Sequence, residues 1–234
     1  MSPRLTLVTG VGRAGQVGEA VAAAFAAAGD HVLLVSHGLD EVRARADDLA
    51  RSGARVTPYA CDLADAAQVD ALAATIREEH GSSLDALVNL AGGFGMLGPV
   101  GDSTSADWER MMRINLTTAY QATRAFLPAL RQARGAIVFF ASEAALPGAR
   151  VARMAAYAAA KAGVVTLMRA VAQEERDNGV RANAVAPAAI RTADNVRDMG
   201  ADARYVERED VASAVLFLCS PAARAVTGQV IRLG

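Results

Sequence analysis

Tyr157 and Lys161 stand four residues apart in Met154-Ala-Ala-Tyr157-Ala-Ala-Ala-Lys161-Ala-Gly163. Alanine is the strongest helix former, and the apolar residues that follow (Val164, Val165, Leu167, Met168 and Val171) recur every one to three or four positions. The spacing predicts a helix carrying both side chains on one face, a turn apart. A free phenol has a pKa of about 10 and stays protonated at neutral pH. A nearby ammonium favours the phenolate, so the pair could donate a proton to a carbonyl or take one from an alcohol. A Tyr/Lys pair at this spacing is equally an ordinary helix surface, and the rest of the chain must decide between the two.

Such side chains need a scaffold, and short apolar runs alternating with helical patterns predict one. The strands expected are Leu5–Thr9, His31–Ser36, Arg55–Ala60, Leu84–Asn89, Gly135–Phe140, Val180–Val185 and Gln229–Leu233. Helices are expected from about Val17 to Ala28, Leu39 to Ser52, Ala66 to Glu79, Ser105 to Arg134 with an interruption near Pro128, through the Tyr/Lys stretch, and from Glu209 to Leu218. This alternation means right-handed crossovers and an α/β fold whose parallel sheet is covered by helices on both faces.

With 234 residues, 53% of them hydrophobic, and no linker or repeat, the chain reads as one domain, 1–234. A net charge of −1 gives no basic footprint for nucleic acid. Cys61 and Cys219 lack metal-ligand spacing and are expected to fill core positions. The apolar runs Val21–Ala28 and Val211–Cys219 fall short of the roughly 20 residues that span a bilayer. The start, Met1-Ser-Pro-Arg-Leu, enters a strand pattern with no leader. A cytoplasmic protein without metal or membrane partner is expected.

In a parallel α/β sheet, ligands gather beyond the carboxyl ends of the strands. The first strand is followed by Thr9-Gly10-Val-Gly12-Arg13-Ala-Gly15-Gln-Val17-Gly18. Gly10, Gly12 and Gly15 match GxGxxG, which lets backbone amides approach a pyrophosphate at a helix N-terminus, with a glycine-rich structural turn as the competing reading. Ser36 and His37 follow the second strand, and Asp40 and Glu41 come too late to serve as a ribose-binding acid. With no carboxylate there to repel a 2′-phosphate, and Arg13 able to pair with one, NADP(H) is expected over NAD(H). Asp62 and Leu63 follow the third strand, where Asp62 either meets an adenine amino group or caps the next helix. After the fourth come Asn89, Ala91 and Gly92, small enough around Ala91 and Gly92 for a flat ligand to lie on backbone. Asn115 sits mid-helix, where asparagine is a poor former, which suggests a task for its amide. Ser142 ends the fifth strand, at the ligand edge or as a turn cap.

Taken in order, these residues resemble the short-chain dehydrogenase/reductase family, in its compact single-domain branch, over essentially Leu5 to Leu233. Thr9-Gly10 through Gly18 matches its glycine motif, Asp62 its adenine-side acid, and Asn89-Leu90-Ala91-Gly92 its Asn-Asn-Ala-Gly motif. Asn115, Ser142, Tyr157 and Lys161 fall on its catalytic positions. Asn183-Ala-Val-Ala-Pro187-Ala-Ala-Ile190-Arg-Thr192 is similar to its nicotinamide-side Pro-Gly motif, and Val226-Thr-Gly-Gln-Val-Ile231 to its C-terminal strand. Departures are a longer glycine loop with Gln16 at the usual middle glycine, Leu90 for an Asn, and Ala188 for a Gly. The segment Glu143–Ala156 is slightly long and carries Arg150 and Arg153, and the usual lid region between Thr192 and Glu209 is short.

The resemblance implies a Rossmann-type doubly wound sheet and hydride transfer between nicotinamide and a carbonyl or secondary alcohol. Tyr157 would then give or take the proton, and Lys161 would lower its pKa and hold the nicotinamide ribose. Ser142 would bond the substrate oxygen, and Asn115 would anchor a water leading from Lys161 to solvent. Gly10, Arg13, Gly15, Val17, Ser36, His37, Asp62 and Leu63 would hold the cofactor, with Asn89, Ala91, Gly92, Pro187, Ile190 and Thr192 completing its site. The chain is most similar to 3-oxoacyl-thioester reductases and general ketone reductases. That implies a small-molecule or acyl-thioester carbonyl substrate and a homodimer or homotetramer through the helices of Asn115 and Tyr157. A non-catalytic dinucleotide-binding sensor or scaffold gives no use for the intact Asn/Ser/Tyr/Lys set, and a methyltransferase none for Tyr157 and Lys161.

Overall fold

The computed structural model describes residues 3–234; Met1 and Ser2, the start of the stretch read as leaderless, lie outside the described residues. The strands are β1 (Leu5–Thr9), β2 (His31–Ser36), β3 (Val56–Ala60), β4 (Ala86–Asn89), β5 (Ala136–Phe140), β6 (Arg181–Pro187) and β7 (Val230–Leu233). All pair in parallel, in the order β3-β2-β1-β4-β5-β6-β7. The winding reverses between β1 and β4, which opens a crevice at their carboxyl ends.

The helices are α1 (Val17–Ala27), α2 (Leu39–Ala50), α3 (Ala66–His80), α4 (Ser105–Met112), α5 (Thr118–Ala133), α6 (Ala155–Glu174), α7 (Ala193–Met199) and α8 (Arg208–Cys219). Two cores sandwich the sheet. Leu7, Leu33, Leu87, Ile137 and Phe139 point to the face covered by α3, α5 and α6, where Ile76, Phe126 and Met168 meet them. Val8, Val32, Leu34, Val88 and Val138 point to the other face, against Phe25, Val42 and Val215 of α1, α2 and α8. Burial on both sides is why these strands are nearly all apolar, each large side chain adding about 1.5–3 kcal/mol. The two buried polar residues of β1 are satisfied: Thr6 donates to Asp30 Oδ2 at 2.6 Å and Thr9 Oγ1 to the carbonyl of Val88 at 3.2 Å.

The structure departs from the sequence reading in two places that matter for the site. The helix expected from Ser105 to Arg134 is interrupted at Arg113–Thr117 by a π-helical turn, not at Pro128, which lies inside α5. Pro128 faces solvent, so the carbonyl of Arg124 loses its helical partner where water can replace it. The second departure is α7, which the sequence did not reveal because none of its residues is buried and no apolar period marks it. The 20-residue α6 is long and apolar enough to cross a membrane, but half of it is buried within the fold.

Candidate active site

α6 presents Tyr157 and Lys161 to the carboxyl end of β5. Lys161 is buried, and its Nζ donates to the carbonyl of Phe140, the last residue of β5, at 2.8 Å. Burial pulls its pKa down to about 8. Its Nζ stands 6.0 Å from the centre of the Tyr157 ring. Phe94 packs edge-on against that ring, with centroids 5.2 Å apart. Burial raises the phenol's pKa, and a hydrogen bond with Ser142 opposes the rise. The expectation that Lys161 brings this pKa down is therefore corrected for the protein by itself, because desolvation dominates and the lysine is bonded to Phe140. Ser142 lines the cleft and also caps the turn that follows it, its Oγ accepting from Ala144 N at 3.3 Å.

Asn115 occupies the π turn. There its Nδ2 donates to the carbonyls of Gly93, at 3.0 Å, and Met111, at 3.1 Å, while Oδ1 accepts from Gly93 N at 3.1 Å. The amide thus meets the Met111 carbonyl where the helical ladder loosens. A Cβ on Gly92 would lie 2.6 Å from Asn115 Oδ1 and 3.3 Å from Lys161 Nζ. Glycine is required where these three residues converge.

Gly92, Gly93, Ser142, Tyr157 and Lys161 border a cleft of about 1570 Å³ that runs back to the glycine loop. Single-ligand pockets are usually ≈ 300–1,000 Å³, so this one has room for two ligands side by side. Thr9 Oγ1 accepts from Leu90 N and Ala91 N, both at 3.0 Å, and so ties β1 to the loop after β4. Gly10 has φ +76°, and a Cβ there would lie 2.9 Å from Ala91 Cα. Gly10, Arg13, Val17, Ser36 and His37 line one end of the cleft. Asp62, Leu63, Ala91 and Gly92 line its middle, and Ser142, Tyr157, Lys161, Pro187 and Ile190 the other end. A glycine-walled groove ending in a phenol, an ammonium and a hydroxyl fits a dinucleotide laid across the switch point.

Several expectations are corrected. Gly15 is off the cleft wall: its N donates to Glu19 Oε2 at 2.7 Å and its carbonyl accepts from Ala193 N at 3.1 Å, while Gly18 takes a place on the wall. Asn89 lies behind the wall, with Nδ2 donating to Thr123 Oγ1 at 2.9 Å; its Oδ1 is a buried side-chain atom without a partner among the described residues. Thr192 caps α7, its Oγ1 accepting from Asn195 N at 3.2 Å. Asn115 is likewise buried behind Gly92 and Gly93 rather than lining the cleft. Asp62 does not cap α3, which Asp65 caps; instead it accepts from Ala64 N and from Arg113 Nη2, the latter at 2.6 Å.

Both grounds for a 2′-phosphate site also change. Arg13 is paired with Asp194 of α7 at 2.5 Å. A carboxylate does stand beside Ser36: a Cβ on Gly12 would lie 2.7 Å from Ser36 Oγ and 3.0 Å from Glu41 Oε2. Glu41 is in the first turn of α2 and folds back over Gly38, a reach that residue spacing does not disclose. Sequence reasoning also passed over Phe94 and Arg113 on the cleft wall, which no motif marks.

A family model described as enoyl-(acyl carrier protein) reductase matches residues 10–233. The chain belongs to the short-chain dehydrogenase/reductase family. This short-chain dehydrogenase/reductase is 35% identical over 97% of its length, and 90% of the relative's, to a (5R,7aS)-5-hydroxy-7a-methyl-1-oxo-2,3,5,6,7,7a-hexahydro-1H-indene-carboxyl-CoA reductase of Mycobacterium tuberculosis. It is 37% identical to a galactitol 2-dehydrogenase of Rhizobium johnstonii, covering 97% of this chain and 92% of the relative. Among solved structures it resembles an actinorhodin polyketide ketoreductase with NADPH, at 28% identity and a TM-score of 0.88, covering 98% of this chain and 95% of that one. It is an enzyme, an NAD(P)-dependent oxidoreductase of carbonyl or alcohol substrates.

Proposed function

We propose that this enzyme interconverts a ketone and a secondary alcohol, with Tyr157 as the group that gives or takes the proton. The observation that carries this reading is that Ser142, Tyr157 and Lys161 share the cleft wall, with the Lys161 ammonium 6.0 Å from the centre of the Tyr157 ring. Bound nicotinamide would supply or accept the hydride. A phenol held protonated by burial suits the acid role, so Tyr157 delivers a proton to the carbonyl oxygen in reduction. Ser142 donates to that same oxygen and stabilises the charge developing on it. Lys161, anchored on the Phe140 carbonyl, keeps a positive charge beside the ribose position at neutral pH. Asn115 holds Gly93 and thereby the floor between them.

The residues at the far end favour NAD(H) over the NADP(H) expected from Arg13. Glu41 would repel a 2′-phosphate, and Asp194 already holds Arg13. Small ketones and acyl-thioester carbonyls both fit the reading. Exposed Trp108 of α4 and Tyr120 of α5 support a homodimer or homotetramer through this face. Two free, buried cysteines suit a cytoplasmic location.

The test is turnover of a panel of ketones and secondary alcohols, followed by nicotinamide absorbance with each cofactor. Steady turnover of any member supports the reading. Cofactor binding without turnover of any member would favour a sensor.

A further inference from the structure

The wall of the cleft beside Ser142 and Tyr157 carries a cation that the hydride chemistry does not use. Arg150 lies in the segment joining β5 to α6 and lines the cleft together with Ala149 and Met154. Three other arginines on the cleft wall are held by carboxylates: Arg13 by Asp194, Arg110 by Asp107 and Arg113 by Asp62. The guanidinium of Arg150 has no such partner among the described residues. Its backbone setting is fixed on both sides, with Ala149 N donating to Leu146 O at 3.2 Å and Met154 N to Val151 O at 3.0 Å. A further bond from Leu97 N to Arg153 O at 2.9 Å ties the segment to the loop that carries Phe94.

The surroundings are apolar. Phe94 and Met199, both on the cleft wall, are 62% and 55% exposed, and Met154 lines the same cleft. Uncovered apolar side chains around a reactive phenol call for a substrate with a sizeable apolar body. The acids on this wall are Glu109 of α4 and Glu143, and the second is paired with Arg232. Arg150 lies in the segment after β5, whereas Ser36 ends β2 and Glu41 opens the helix after it, three places away in the sheet order, so Arg150 stands on the Tyr157 side of the cleft rather than beside the adenosine corner.

We infer that Arg150 selects a substrate bearing a carboxylate on an apolar body, binding that group while the ketone or alcohol faces Tyr157. The fork of a guanidinium matches the two oxygens of a carboxylate. The assignment rests on the ketone reading above.

Cyclic apolar keto acids and their neutral carboxamides form the test set, assayed with the bound cofactor. The wild type should prefer the acids by about 10- to 100-fold in kcat/KM, through KM rather than kcat, the range of one charge-assisted hydrogen bond. Arg150→Ala should bring that ratio close to one, and Arg150→Lys should restore only part of it. Arg110→Ala, removing an arginine already held by Asp107, should keep the preference. Turnover of acids and carboxamides alike, or a preference that survives Arg150→Ala, would overturn the assignment and leave the oxidoreductase reading standing. No turnover of any member, acid or neutral, with cofactor bound would overturn both.

Discussion

Asn115 and Gly93 grip each other through a reciprocal pair of hydrogen bonds, Oδ1 accepting from Gly93 N and Nδ2 donating to Gly93 O. The π turn brings a helix residue to a loop that must stay fixed against Lys161. Asn115→Ala leaves both Gly93 groups and the Met111 carbonyl short of a partner. The expected cost is about 1–3 kcal/mol of stability in urea unfolding. Turnover should fall further than that loss explains, roughly hundredfold, because the floor of the site shifts. Unchanged kcat in a variant destabilised to this degree would show that the asparagine serves folding alone.

The buried ammonium of Lys161 makes stability depend on pH with a definite sign. Its ordinary pKa is about 10.4, and burial lowers it to about 8 in the folded protein. Between these values the unfolded chain holds a proton that the folded chain has released, so this site's contribution to stability rises with pH from about 8 to about 10. Below about 8 both states are protonated, and the penalty for burying the charge is constant. Above about 10 the raised phenol of Tyr157 works in the opposite direction. The difference in unfolding free energy between wild type and Lys161→Met, which cancels the buried cysteines, should grow across that window. A flat difference would mean the lysine is not desolvated.

Glu41 sets the sign at the other end of the cleft. Glu41→Gln removes the charge next to Ser36 and should tighten NADPH relative to NADH by up to about tenfold, equivalent to about one pKa unit of interaction. Equilibrium binding of the two nucleotides to each protein reads this directly. A ratio that does not move would place Glu41 outside the ribose corner.

The parts legible in the sequence were those that local chemistry dictates. Strands buried on both faces, such as Leu5–Thr9 and Ala136–Phe140, have no choice but to be apolar. The alanine-rich spacing around Tyr157 and Lys161 could form only a helix. What stayed hidden depends on contacts between distant segments. Nothing in Arg113-Ile-Asn115-Leu-Thr117 marks a π turn, whereas Pro128 looks like a break until its solvent-facing position is known. Arg13 looked free because its partner, Asp194, belongs to a helix without buried residues. Thr192 looked like a ligand contact and is a cap.

The central claim is that the Tyr157 hydroxyl moves the proton while the rest of the cleft holds the nucleotide. Tyr157→Phe keeps the ring that packs on Phe94 and removes only that hydroxyl. Measured together, kcat and the affinity for cofactor should separate: turnover should drop by at least about 10²–10⁴-fold, with nucleotide binding unchanged. Near-normal turnover in this variant would contradict the account.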